Sequence, residues 1–222
     1  MPLVSIVIPV LSDAAALGTC LASMSPDADV ELIVVDGGTD PKVQALAAAR
    51  DDVRLVRTRA GRARQMNAGA AIAKGRWLLF LHADSRLPAN WREAVAGAEA
   101  NGAAGGWFRL RLDSEAWQAR MIERLVAFRV ALFRLPYGDQ GYFVRRDLFA
   151  TMGGYREMPL MEDVEFVRRL VRTARVRPAS LRIVTSARRW ERDGWLRRSA
   201  RNLALVTLYL LGVRPDRLAK WY

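Results

Sequence analysis

Two aspartates that follow apolar runs are the residues of this chain best suited to chemistry. Asp84 lies shortly after the run Trp77–Leu81, and Asp36 ends the run Val30–Asp36. Such runs are typical of strands that are buried on both faces of a parallel sheet. Open α/β sheets bind ligands just outside the carboxyl ends of their strands. We therefore expect both carboxylates at one rim of a sheet, where Asp84 holds a divalent cation, Mg²⁺ or Mn²⁺, and through it a diphosphate. Helix or turn capping is the alternative role of each aspartate.

The single histidine of the chain, His82, stands two residues before Asp84. Alternation along a strand places the two side chains on the same side. His82 is therefore a candidate for a second metal ligand or a hydrogen-bond partner of Asp84. A purely structural histidine is an equally good interpretation.

A basic segment, Arg59–Arg64, precedes the Ala-rich predicted helix Gln65–Ala73. Guanidinium groups bind phosphate through paired hydrogen bonds, and the start of the helix adds partial positive charge. The alternative is an exposed basic loop without a ligand. The segment is not a P-loop, and no GxGxxG follows the first strand, so Walker-type and dinucleotide-binding sites are excluded.

Two further groups come later in the chain. Glu162 and Asp163 open the predicted helix Glu162–Thr173, where acidic residues are favoured by the helix dipole or serve as a general base. The segment Arg188-Arg189-Trp190 follows the last predicted strand, Arg182–Ser186. Its cations and aromatic ring suit a leaving group or a sugar.

The elements that must position these residues alternate between strands and helices. This alternation predicts an α/β fold with a mostly parallel sheet flanked by helices, and a C-terminal helical extension. The predicted strands are Leu3–Val10, Val30–Asp36, Val53–Arg57, Trp77–Leu81, Trp107–Leu112, Tyr142–Val144 and Arg182–Ser186. The other predicted helices are Ala14–Met24, one from Pro41, Pro88–Asn101, Ser114–Leu135 and Trp195–Leu211.

Composition indicates one large domain. The chain has 222 residues, of which 51% are hydrophobic, enough for a substantial core. Its single cysteine, Cys20, excludes an intramolecular disulfide and a cysteine-based zinc site. The start MPLVSIVIPV resembles a first strand rather than a signal peptide, and we expect a cytoplasmic protein.

The net charge of +12 comes almost entirely from arginine. A solvated basic surface, phosphate-bearing substrates, an anionic membrane surface and nucleic acid are all compatible with it. The longest late apolar run, Leu203–Val213, is about half of the ~20 residues that span a bilayer. The amphipathic helices Ser114–Leu135 and Trp195–Leu211 suit a membrane surface, but we expect their apolar faces to pack into the core.

The motifs, taken together and in this order, resemble the family 2 glycosyltransferases of the GT-A fold. They are SIVIPV at 5–10, ELIVVDGGTD at 31–40, GRARQMNAGA at 61–70, AKGRWLLFLHAD at 73–84, GGY at 153–155, MEDVEF at 161–166 and RRW at 188–190. Within that family the chain looks most like a small bacterial branch with GRARQMN, LLFLHAD, PYGDQG, MED and TSARRW. Some members of that branch are associated with arsenosugar biosynthesis.

The resemblance implies a nucleotide-diphospho-sugar donor, a divalent cation, and a small-molecule or lipid-linked acceptor. Asp84 matches the metal-binding aspartate of the DxD-type motif, with His82 as a second candidate ligand. Asp163 matches the catalytic base, with Glu162 beside it. The residues implied to bind substrates are Pro9, Val10, Asp36, Arg62, Arg64, Gln65, Asn67, Asp139, Arg189 and Trp190.

Among the departures from the pattern of the family, two bear on the chemistry. His82 stands where many relatives have the first aspartate of DxD. Ser186 replaces the glutamine of the QxxRW segment, which argues against processive polymer synthesis.

The sequence thus predicts a metal-dependent, inverting sugar transferase in one domain, 1–222. We expect a nucleotide-binding half (1–100), an acceptor half (101–190) and a C-terminal helical segment (191–222). One alternative is a transferase that acts on a polyprenyl phosphate, peripheral at the inner face of the membrane. A basic nucleic-acid-binding module is a second, but it does not explain carboxylates at strand ends and the chain has no recognisable nucleic-acid motif. A third is a degenerate transferase that only binds ligand. The sequence leaves the oligomeric state open.

Overall fold

A computed structural model describes residues 3–222 and has an α/β fold with two sheets. The strands are β1 Val4–Val10, β2 Val30–Asp36, β3 Val53–Arg57, β4 Trp77–Phe80, β5 Ser85–Arg86, β6 Gly105–Trp107, β7 Arg109–Asp113, β8 Tyr142–Arg145 and β9 Arg182–Ser186. The helices are α1 Ala14–Ala22, α2 Pro41–Ala48, α3 Arg62–Ile72, α4 Trp91–Ala100, α5 Trp117–Phe133, α6 Arg146–Thr151, α7 Glu162–Thr173, α8 Arg188–Asp193, α9 Trp195–Leu210 and α10 Pro215–Leu218. Short 3-10 turns cover Gly138–Gln140 and Ala219–Trp221.

The larger sheet has the strand order β3-β2-β1-β4-β8-β6. Its first four strands are parallel, β8 runs antiparallel to β4, and β6 runs antiparallel to β8. Val10 lies opposite Asp36 in the register of β1 and β2, so these strands end together at one rim. The predicted α/β class with a mostly parallel sheet is confirmed. Apolar clusters cover both faces of this sheet, as its unbroken apolar strands require.

The smaller sheet, β5-β9-β7, packs beside this rim. The single strand predicted over Trp107–Leu112 is wrong, because the chain changes sheets at Phe108. Residues 105–107 pair with β8, and residues 109–113 pair with β9. Phe108, fully buried between them, donates its backbone N–H to the carbonyl of Gln140. Alternation alone could not reveal this change of partner.

Helix starts differ from the predictions where the chain enters from a turn. The segment Arg59–Arg64, predicted as a loop, is helical from Arg62, since Gly61 reaches the left-handed region (φ +140°) and starts α3 three residues early. Arg62 and Arg64 therefore lie on the first turn of a helix. The short helices α6 and α8 were not predicted, and α5 begins at Trp117 rather than Ser114.

The long helix α5 packs one apolar side into the core and leaves a second apolar side exposed, so the expectation is only partly confirmed for this helix. Only Ala119 and Ile122 of its side chains are buried. Large apolar side chains in its second half are exposed, and that of Phe128 is 67% exposed. Within residues 3–222, no helix combines the length and the apolar character needed to cross a bilayer.

Candidate active site

Two adjoining cavities at the carboxyl ends of β1 and β4 form one cleft, and they share lining residues. The shared residues are Arg62, His82, Asp84, Leu160, Glu162, Arg189 and Tyr222. One compartment continues to Pro9 and Val10 at the end of β1. The other continues to Asp139, Asp163 and Trp190. Most of the candidate residues, although distant in sequence, therefore line the same cleft.

Asp163 is held in place through both carboxylate oxygens. Oδ2 accepts a hydrogen bond from the backbone N–H of Gly138 at 2.7 Å, and Oδ1 accepts one from Val164 at 2.7 Å. The residue stands on the first turn of α7, where the helix dipole stabilises the anion. Met161, in the left-handed region at φ +71°, turns the chain into this helix. Asp163 is thus a fixed, ionisable acceptor that faces the cleft.

Glu162, beside it, is almost completely buried and pairs with Arg62 at 3.2 Å. Burial, and then the negative charge of Asp163, raise the pKa of the Glu162 carboxyl. Since Glu162 already has a cationic partner, it fixes Arg62 at the junction of the two compartments. The geometry favours Asp163 over Glu162 as the group that meets an acceptor.

Asp139 is a second carboxyl enclosed in the cleft. Its Oδ1 is buried without a hydrogen-bond partner. Burial, with a contribution from Asp163 and Asp84, raises the pKa of Asp139 to about 6. The neighbouring Tyr137 ring lies under the guanidinium of Arg129, 3.5 Å from its centroid. An unsatisfied buried oxygen of this kind calls for a cation or a donor from a ligand.

His82 presents a similar unsatisfied atom. Its Nε2 is buried without a partner. Burial, followed by the positive charges of Arg62 and Arg189, holds the pKa of His82 well below its ordinary value. The imidazole is therefore neutral near pH 7, the form that binds metals or accepts a hydrogen bond. A Cβ on Gly138 would come within 2.9 Å of this nitrogen, so the loop and the imidazole are in close contact.

These groups fit a cation that shares its coordination with a substrate. Among the residues described, no three side chains of His, Cys, Asp or Glu converge on a preformed metal centre. Asp84 nevertheless brings a carboxylate to the rim, and the free Asp139 and His82 atoms line the same cleft. Mg²⁺ and Mn²⁺ commonly use one or two carboxylates and take their other ligands from water and phosphate. The set suits such a cation and does not suit one held by protein ligands alone.

Arginines supply the positive charge around Asp84. Arg188 pairs with Asp13 and lies 3.9 Å from an oxygen of Asp84. Arg189 lines both compartments, and among residues 3–222 no acidic side chain forms an ion pair with it. This unpaired guanidinium is available to an anionic ligand.

Four candidate residues lie outside the cleft lining. Gln65 donates from Nε2 to the carbonyls of Val10 and Val35, at 2.7 and 2.9 Å. The side chain of Asn67 donates from Nδ2 to the carbonyl of Tyr155 at 2.8 Å, and its Oδ1 accepts from the N–H of the same residue at 2.9 Å.

Arg64, the third of these, pairs with Glu157 at 2.6 Å. Asp36 is fully buried, and its Oδ1 accepts from the N–H of Gly38 at 2.8 Å. In this structure Gln65, Asn67 and Asp36 hydrogen-bond to backbone groups and Arg64 pairs with a carboxylate, while Oδ2 of Asp36 is buried without a partner.

The sequence did not single out the contribution of the C-terminal helix to the cleft. Arg198, Asn202, Leu205 and Val206 of α9 line the compartment that contains Asp163. Arg198 is 5% exposed, donates to Asp193 at 2.6 Å, and stacks 5.4 Å from the Trp190 ring centroid. A buried arginine leaves no periodic signal that separates it from the many exposed arginines of this chain.

The chain has relatives of known family. The family model described as "Glycosyl transferase family 2" matches residues 5–162. A "PGL/p-HBAD biosynthesis glycosyltransferase" of Mycobacterium bovis (strain BCG / Pasteur 1173P2) is 34% identical over 168 residues, which cover 69% of this chain and 63% of the relative. This chain therefore spans less than two-thirds of the length of the curated relatives it matches.

Solved structures share the fold. The mannosyltransferase PcManGT of Pyrobaculum calidifontis, in complex with GDP-Man and Mn²⁺, has a TM-score of 0.67 at 20% identity and covers 97% of this chain and 66% of that chain. TarS 1-349 of S. aureus, in complex with UDP-GlcNAc, has a TM-score of 0.66 at 16% identity, with 84% of this chain and 58% of that chain covered. Both support the GT-A architecture described above. With the family match over most of its length, this chain belongs to glycosyl transferase family 2.

Proposed function

We propose that this protein transfers a sugar from a nucleotide-diphospho-sugar to an acceptor hydroxyl, with inversion at the anomeric carbon. The observation that carries the proposal is the position of Asp163, a carboxylate fixed by two backbone N–H groups, in one cleft with Asp84 and Arg189. A base and an anion-binding region in a shared cleft are the two requirements of such a transfer.

The donor would occupy the compartment between Pro9-Val10 and Arg189. Its diphosphate would lie near Asp84, where Arg62 and Arg189 supply positive charge. A divalent cation, held by Asp84 with His82 or Asp139, would neutralise the charge that develops on the leaving nucleoside diphosphate. We propose that residues 1–100 bind the donor, that 101–190 bind the acceptor, and that 191–222 close the cleft through Arg198 and Asn202.

In the proposed reaction Asp163 acts as base in the same cleft as this anion-binding region. The acceptor oxygen forms a bond to the anomeric carbon as the bond from that carbon to the diphosphate oxygen breaks. The hydroxyl proton passes to the Asp163 carboxylate, and the nucleoside diphosphate departs with the bonding electrons. Attack from the face opposite the leaving group inverts the configuration.

The ligands bound in two similar solved structures support the donor class. PcManGT binds GDP-Man and Mn²⁺, and TarS binds UDP-GlcNAc. Two hypotheses concern the acceptor. One is an arsenosugar precursor, as in some members of the similar bacterial branch. The other is a lipid-linked acceptor, which the exposed apolar face of α5 favours.

A donor-binding panel tests the proposal. Thermal stabilisation by UDP-, GDP- and dTDP-sugars is measured with and without Mn²⁺ for the wild type, Asp84→Asn, and the control Asp51→Asn at an exposed carboxylate. We expect one nucleotide class to stabilise the wild type and the control, more strongly with Mn²⁺, and Asp84→Asn to lose the Mn²⁺ effect. Absence of stabilisation by every donor, together with salt-sensitive DNA binding, would overturn the proposal in favour of a nucleic-acid-binding module.

A further inference from the structure

An apolar stripe, exposed except at the half-buried Met121, runs along the solvent side of α5. Trp117, Met121, Leu125, Phe128 and Leu132 follow one another at intervals of four, four, three and four residues, which places them on one helical face. The exposed fractions are 68% for Trp117, 59% for Leu125, 67% for Phe128 and 59% for Leu132. An uncovered stripe of this length is unusual for a free protein surface and marks an interaction site.

A groove between α5 and the smaller sheet is lined by arginines, and one of them, Arg124, stands one turn before Phe128 at the edge of the stripe. The arginines that line the groove are Arg109, Arg111, Arg120, Arg124, Arg134 and Arg182. The single acidic residue of its lining, Glu123, pairs with Arg120 at 3.1 Å and Arg111 at 3.7 Å. In the described part of the chain, no acidic side chain forms an ion pair with the other four arginines. The floor of the groove is apolar, with Trp107, Leu110, Val126, Val130 and Pro178.

A second exposed stripe lies on α9, which contacts α5. Leu196, Leu203 and Leu210 recur every seven residues, and each exposes about half of its surface or more. The opposite face of α9 lines the cleft through Arg198 and Leu205. On α5, Arg129 stacks on Tyr137, another residue of the cleft lining. The two exposed apolar stripes thus belong to helices that also contact the candidate active site.

We propose that α5, together with its arginine-lined groove, binds to the surface of an anionic lipid bilayer. Tryptophan, phenylalanine and leucine on one face, with arginine at its border, form the pattern of helices that lie in the plane of a membrane interface. The unpaired arginines attract anionic headgroups, and the net charge of +12 strengthens this attraction. The ligand is therefore a lipid headgroup in a bilayer, and the apolar stripe enters the boundary of the acyl chains.

Charge favours a membrane over a second copy of this chain. A two-fold symmetric contact through α5 would bring two sets of unpaired arginines together without matching carboxylates. An anionic bilayer neutralises them and covers the apolar stripe as well. Membrane binding would hold the acceptor side of the cleft close to lipid-embedded acceptors, which deepens the proposed sugar transfer.

Vesicle co-sedimentation tests the proposal without any sugar donor, so its failure is distinct from failure of the transferase proposal. The vesicles contain phosphatidylcholine alone or phosphatidylcholine mixed with phosphatidylglycerol. Phe128→Ser/Leu132→Ser removes part of the stripe, and Arg124→Gln/Arg134→Gln removes two unpaired cations. The matched controls are Leu55→Ser on β3 and Arg172→Gln/Arg175→Gln, which change exposed residues elsewhere.

We expect the wild type and both controls to sediment with anionic vesicles and to bind weakly to phosphatidylcholine alone. The arginine variant should bind roughly 30-fold more weakly, about fivefold for each cation. The stripe variant should lose at least about tenfold, through the apolar area that it no longer buries. Failure of the wild type to bind, or an equal loss in the controls, would overturn the proposal. A dimer that Phe128→Ser/Leu132→Ser dissociates, without vesicle binding by the wild type, would assign the stripe to a second copy instead.

Discussion

The backbone N–H of Gly138 donates a hydrogen bond to Oδ2 of Asp163 at 2.7 Å. A turn of the PYGDQG segment thereby fixes the carboxylate that opens α7, although the two residues are far apart in sequence. The same glycine leaves no room for a Cβ beside the imidazole of His82. The geometry of the proposed base therefore depends on a loop that also shapes the anion-binding side of the cleft.

Replacement of Asp163 by asparagine should separate binding from turnover. The amide retains the shape of the side chain but cannot take the acceptor proton, so turnover should fall at least ~10²-fold. Donor affinity, measured by calorimetry with Mn²⁺, should stay close to that of the wild type. Asp51→Asn serves as the matched control at an exposed carboxylate. Wild-type turnover in Asp163→Asn would remove Asp163 from the role of base.

Gly138→Ala should damage the same site through steric conflict. Its Cβ would lie 2.9 Å from Nε2 of His82 and 3.3 Å from Oδ2 of Asp163, so the loop has to move. We expect turnover to fall by about tenfold or more, since small displacements of a catalytic group are costly. Circular dichroism should report an unchanged fold. Full activity in this variant would show that the Gly138–Asp163 hydrogen bond has no part in turnover.

Two helical glycines should respond to alanine in opposite directions. At Gly69, on α3, a Cβ would lie 2.9 Å from Cγ2 of Val35 and closer still to Cγ1 of Val7, both buried in strands. Gly69→Ala should lower the free energy of unfolding by about 1–3 kcal/mol. At Gly97, on α4, no atom lies within 4 Å of the Cβ position, so Gly97→Ala should raise the free energy of unfolding by roughly 0.5–1 kcal/mol. Urea unfolding measures both, and the same sign in both variants would contradict this reading of the contacts.

The stability that Asp193 contributes should depend on pH. Hydrogen bonds from Arg192 and Arg198 lower the pKa of Asp193 from 3.8 to about 2. Because the folded-state pKa is depressed, the contribution is full above the unfolded value and is lost as the pH falls through about 2. Asp193→Asn should therefore unfold at a lower urea concentration than the wild type at pH 7. The difference between the two urea midpoints should narrow between pH 4 and pH 2. A gap that stays constant or widens on acidification would contradict this role.

The apolar strands of the main sheet were predictable because their runs are unbroken and end in clear turn signals. The bounds of β2, β3, β9 and α7 agree with the predictions to the residue. The change of sheet at Phe108 was not predictable, since both halves of the run alternate in the same way. Helices as short as α6 and α8 give no reliable period.

The site was predictable as a set of charged residues near strand ends, but not as a set of contacts. Gln65 and Asn67 have the polarity of ligand-binding residues, yet both satisfy backbone groups of neighbouring segments. Arg198 is one of many arginines in the sequence, and only the fold reveals that it is buried against Trp190. Which partner a polar side chain finds depends on contacts between distant segments.

Asp84 stands at the seam between the two sheets, after β4 of the larger sheet and before β5 of the smaller one. Its own carbonyl accepts a hydrogen bond from the N–H of Ser186, which ends β9. The carboxylate thus takes its position from the relative packing of both sheets. Core substitutions outside the cleft lining, such as Ile183→Val in the smaller sheet, should therefore change donor and cation affinity. In this protein, ligand affinity therefore also reports on the packing between the two sheets.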